Sequence, residues 1–105
     1  MKKSILDVAQ VIRSKNSGPY ELTLDILFSE RQWFDLFRRR GIISPELICR
    51  LYGVAAADIL GIVYFEPAWA VKITLRRPLV SGSPGDGDVY GAQQHAPLLD
   101  IEFEE

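Results

Sequence analysis

Side chains suited to chemistry gather in one stretch, Ser81-Gly82-Ser83-Pro84-Gly85-Asp86-Gly87-Asp88-Val89-Tyr90-Gly91-Ala92-Gln93-Gln94-His95-Ala96-Pro97. It holds the chain's one histidine, two carboxylates, a tyrosine and two amides. An imidazole is the side chain whose ordinary pKa suits proton transfer near neutral pH. His95 with Asp86 and Asp88 is therefore the candidate catalytic set, and Gln93 and Gln94 are candidate ligand-binding amides. The plainer alternative is an imidazole that hydrogen-bonds backbone and holds the stretch in shape, since one histidine without a neighbouring nucleophile says little alone. Four of the eight glycines and two of the six prolines also fall here. A plain connector needs only about 2–6 residues, and longer ordered loops tend to carry function.

Arg13-Ser14-Lys15-Asn16-Ser17-Gly18-Pro19 is the second candidate, read as a polar turn. It offers two cations, hydroxyls, an amide and a glycine beside which backbone N–H groups can approach a ligand. Those are the parts of a phosphate or carboxylate site, with Arg13, Ser14, Lys15, Asn16 and Gly18 as ligand-binding residues. The alternative is a solvated hairpin turn. A third feature is subtler. Asp25 and Lys72 each sit within an alternating strand pattern, and they pair across the sheet if their strands are neighbours. Thr23, Asp25, Lys72 and Thr74 then make a polar sheet face, either open to water or covered by a partner.

Familiar motifs fail. Asp86, Asp88 and Gly91 match three positions of a calcium loop, but Tyr90 and Pro97 stand where ligands are required. No Gly-Lys-Ser/Thr follows the glycines, and Tyr90 takes the place of the third glycine of a dinucleotide fingerprint. A zinc site needs three or four His, Cys or acidic ligands, and Cys49 reads as a small core residue. Neither a metal nor a cofactor is expected.

The 105 residues suit one domain spanning 1–105, long enough for a core without staples. The formal net charge of −2 gives no concentrated basic surface for nucleic acid. The run Arg38-Arg39-Arg40 reads as a complement to a helix dipole. One cysteine allows no internal disulfide, so a cytoplasmic location is expected. No apolar run approaches the ~20 residues of a membrane helix, and Asp7 interrupts what would be a signal-peptide core.

The elements that must position these residues follow from periodicity. A turn and then a strand are expected around 9–13, and residues 20–28 alternate as the clearest strand. Ser29, with Gln32 three residues on, reads as the cap of a helix over 30–40 that Gly41 stops. Ser44-Pro45 opens a second helix, which Gly53 ends. Strands are expected over 59–65, 69–76 and 98–103. This order predicts an α+β fold: a ferredoxin-like sandwich, mostly antiparallel, with two helices on one face and a long C-terminal loop.

Four blocks carry a resemblance: residues 11–19, Leu22-Thr23-Leu24-Asp25-Ile26, Leu51-Tyr52-Gly53-Val54, and residues 81–101. They resemble a family of small bacterial proteins of unknown function. That family is similar in turn to the C-terminal ferredoxin-like domain of acyclic terpene utilisation (AtuA-type) proteins. The resemblance implies a partner, a larger AtuA-type subunit, and a role in catabolism of branched acyl compounds, coenzyme A thioesters among them. The chain is then a small subunit whose two polar loops line a shared cleft for an anionic or acyl-CoA ligand. The competing readings are a stand-alone isomerase or lyase using His95, and a homo-oligomer that binds a small anion.

Overall fold

Alternation of side chains decides the main sheet. The computed structural model of the chain describes residues 1–18, 21–76 and 96–105. Four strands, β2 (Ala9–Gly18), β3 (Glu21–Phe28), β4 (Ile59–Phe65) and β5 (Ala70–Arg76), form an antiparallel sheet in the order β2-β3-β5-β4. On β3, Leu22, Leu24, Ile26 and Phe28 face inward, matched by Val71, Ile73 and Leu75 on β5, and all are buried. The short strands β1 (Lys2–Ser4) and β6 (Glu102–Glu104) make a second, two-stranded antiparallel sheet that ties the two ends of the chain together.

Two consecutive helices cover the inner face. Helix α1 (Arg31–Arg40) buries Phe34 and Phe37, and helix α2 (Pro45–Tyr52) buries Ile48. Gly41 and Gly53 end them at φ 60° and 64°, the left-handed conformation that glycine adopts without a Cβ penalty. Ser44 caps α2 by accepting the Leu47 N–H at 3.2 Å. The rings of Tyr64, Phe34, Phe28, Phe37, Phe103 and Trp33 touch in succession, from β4 through α1 to β6. This aromatic chain joins the two sheets across one core. The layering is α+β with antiparallel sheets, compatible with a ferredoxin-like sandwich whose two helices follow one another in the chain.

Several expectations are corrected. Arg13 to Gly18 is strand, not turn: Arg13, Ser14, Lys15 and Asn16 pair with Asp25, Leu24, Thr23 and Leu22 of β3. The turn propensity of these polar residues is overridden by pairing with β3, whose apolar face must be buried. Ser29 does not cap α1. Its Oγ donates to the Val8 carbonyl at 3.1 Å, and Glu30 takes the cap position without a side-chain bond. The expected strand over 98–103 begins as a 3-10 turn (Ala96–Asp100), so only Glu102–Glu104 pairs, with β1. Cys49 is half-buried rather than in the core. The arginine run also does more than complement a dipole. Arg38 pairs with Glu66 at 3.2 Å and Asp35 at 3.4 Å, and Arg40 donates to the Glu104 carbonyl. The expected long loop over 81–97 lies outside the described residues as far as residue 95.

Tyr64 locks the edge strand to the helical layer. Its hydroxyl donates to the Ile43 carbonyl at 3.0 Å and accepts the Ile43 N–H at 3.2 Å. Tyr64→Phe leaves both Ile43 groups without that partner and is expected to cost about 1–3 kcal/mol, read by urea denaturation. Burial pushes the Tyr64 phenol above its ordinary range, while the Ile43 N–H pulls the other way. The folded chain thus holds this proton more tightly than the unfolded chain. Stability from this source is complete below about pH 10 and declines as the pH rises above it. A pH series on wild type and Tyr64→Phe checks the sign.

Candidate functional site

The four-stranded sheet has a second face that, among the described residues, no helix covers. Its side chains are fixed by register, which runs straight across all four strands. One row is Arg13, Asp25, Lys72 and Val63; the rows on either side are Lys15, Thr23, Thr74 and Gly61, and Val11, Leu27, Ala70 and Phe65. Residues two apart on a strand lie about 7 Å apart, so the three rows span about 14 Å. The polar end of this surface lies toward Lys15 and the apolar end toward Phe65.

A groove of about 360 Å³ lies on this face. Among the described residues, Arg13, Lys15 and Lys72 bring positive charge to it, Asp25 brings a negative charge, and Leu27, Val63, Phe65, Ala68 and Ala70 supply apolar wall. Asp25 is only 10% exposed although it lies on the face away from the helices. It sits on an inner strand, with Arg13 and Lys72 as its neighbours across the sheet. Its Oδ2 accepts from Arg13 Nε at 3.1 Å. A buried carboxylate needs such a charge-assisted bond. Among the described residues, Lys15 and Lys72 have no carboxylate partner. The expected pairing of Asp25 with Lys72 thus holds as register, but the carboxylate takes Arg13 as its ion-pair partner.

The structure separates the residues grouped by sequence into one anion loop. Arg13 and Lys15 point onto the groove face. Ser14 and Asn16 alternate to the inner side, opposite Leu24 and Leu22, and Ser14 is buried. Gly18 pairs with Glu21 at the end of β2. The candidates Asp86, Asp88, Gln93, Gln94 and His95 lie outside the described residues. Arg76, the last described residue before them, pairs with Glu21 at the end of the sheet where β2 stops. Among the described residues, no three His, Cys, Asp or Glu side chains gather as a metal site, and no helix is long and apolar enough to cross a membrane.

The apolar half of the groove escaped the sequence reading. Its signal is present: Ile59-Leu60-Gly61-Ile62-Val63-Tyr64-Phe65 is apolar on both faces. An antiparallel strand with one face in water is expected to alternate.

A family model described as a domain of unknown function (DUF4387) matches residues 5–102. The chain belongs to this family. The match includes β2 to β5, both helices and the whole groove face. No curated protein and no solved structure matches the chain. Within this DUF4387 domain, the groove is thus read from its own residues.

Proposed function

We propose that the chain is an accessory subunit that docks a larger AtuA-type protein along strand β4 and acts with it on branched acyl compounds, acyl-CoA thioesters among them. The observation that carries the docking is the contrast between the two edges of the sheet. Strand β2, at one edge, has Arg13 and Lys15 on its outer face. Strand β4, at the other, has neither a charge nor a proline, and exposes Leu60, Val63 and Phe65 at 44%, 54% and 51%. Proteins usually blunt edge strands with charge, proline or bulges. Here one irregularity between Ile59 and Gly61 interrupts the start of the edge and leaves the rest regular. Among the described residues no strand pairs with the outer side of β4, and an uncharged edge of this kind is a template for strand addition by a partner.

The similarity of the family that residues 11–19 and 81–101 resemble to the C-terminal domain of AtuA-type proteins supplies the partner and the acyl chemistry, and favours a ferredoxin-like sandwich as the fold. In this reading Arg13 and Lys15 hold an anionic group, and Asp86, Asp88 and His95 complete the site. Hydrogen exchange tests the docking mode. The β4 amides that point away from β5 exchange quickly in the free chain and are expected to slow in the complex. Unchanged β4 exchange in a stoichiometric complex would contradict docking through this edge.

A further inference from the structure

We infer that the groove on the sheet face away from the helices is a binding site for a small amphipathic carboxylate. Its carboxylate lies among Arg13, Lys15 and Lys72, and its apolar body lies along Leu27, Ala70 and Phe65.

Charge argues for the head group. The whole chain is −2, yet among the described residues the groove carries three cations against one carboxylate. That carboxylate is already paired with Arg13 at 3.1 Å. The two lysines bring positive charge from opposite sides of the buried Asp25–Thr23 strip, since Lys15 is on β2 and Lys72 on β5. Cations gathered against the sign of the molecule favour an anion locally. Register argues for the tail. Beyond the Arg13–Asp25–Lys72 row, the next row presents Val11, Leu27, Ala70 and Phe65, and Val63 closes the cationic row itself. An anion that is polar throughout would leave this second half of the groove unused. A site with an apolar wall and a few placed charged groups is the usual form of a small-molecule pocket, and the volume lies near the lower end of the ordinary range. The ligand is therefore a carboxylate bearing several carbons, and its head and tail are oriented along the strands.

This inference rests on the reading of Arg13 and Lys15 as an anion site and is separate from docking along β4, so the ligand and the docking can fail independently. The test is an NMR titration of the full chain with hexanoate, with hexylammonium and inorganic phosphate as separate arms. Hexanoate is expected to saturate at about millimolar concentration, with shifts at the amides of Lys72, Val63 and Phe65. Lys72→Gln changes an exposed side chain and is expected to keep the fold while weakening hexanoate about tenfold. Phe65→Ser is expected to weaken hexanoate and leave any phosphate binding unchanged. Failure of hexanoate to saturate would overturn the inference. So would equal binding of hexylammonium, or phosphate binding as tight as hexanoate, or an unchanged affinity in a folded Lys72→Gln chain.

Discussion

Replacing Phe37 by alanine is expected to remove about 3–5 kcal/mol of folding stability, the range for deleting a fully buried aromatic ring. Phe37 is fully buried on α1. Its ring lies 4.7 Å from that of Phe28 on β3 and 4.9 Å from that of Phe103 on β6. It therefore bridges the four-stranded sheet and the two-stranded sheet that holds the chain ends. Its loss opens a cavity between layers that cannot close without moving a sheet. Small domains have only about 5–15 kcal/mol in all, so the variant sits near its unfolding threshold. At about 4 °C or more per kcal/mol, its midpoint should fall by some 12 °C or more. Phe37→Leu keeps most of the volume and should recover much of the loss. A Phe37→Ala chain within 1 kcal/mol of wild type, a threshold of about one buried methylene, would show that the aromatic chain does not hold the layers together.

The second large effect concerns the edge. A chain carrying Val63→Lys and Phe65→Lys is expected to fold normally and to lose its larger partner. Both side chains are more than half exposed on the outer face of β4, so folding stability should change by less than about 1 kcal/mol. Binding should change far more, because lysine on an edge strand is among the devices that prevent strand addition. Two ammonium groups would have to be desolvated in any docked state. Affinity should fall by about 100-fold or more, on the scale of interface hot spots. Partner capture at wild-type affinity by the folded double variant would move the interface off β4.

These predictions rest on features that were unequally legible in the residues. The two central strands were readable because Leu22, Leu24 and Ile26, and Val71, Ile73 and Leu75, alternate against polar neighbours. Helix α2 was readable because Ser44, Pro45 and Gly53 are local signals with local causes. What failed was whatever depended on distant partners. Arg13 to Gly18 has the composition of a turn, and only β3 beside it makes it a strand. Ser29 has the spacing of a cap, and the carbonyl of Val8 claims its hydroxyl. Strand β1 is three residues long and exists only against β6. The candidate site divides the same way. Asp25 and Lys72 were suspected as cross-strand neighbours from alternation alone, and register places them so. Val63, Phe65 and Ala68 were missed, because a groove wall is defined by the order of strands and not by any local pattern.

The accessory-subunit reading is tested most directly by native mass spectrometry of the tagged chain purified from its own host. The expected species is a stoichiometric complex of this chain with one kind of larger subunit, lost from the Val63→Lys, Phe65→Lys chain. Assemblies made solely of copies of this chain, unaltered by those two substitutions, would contradict it.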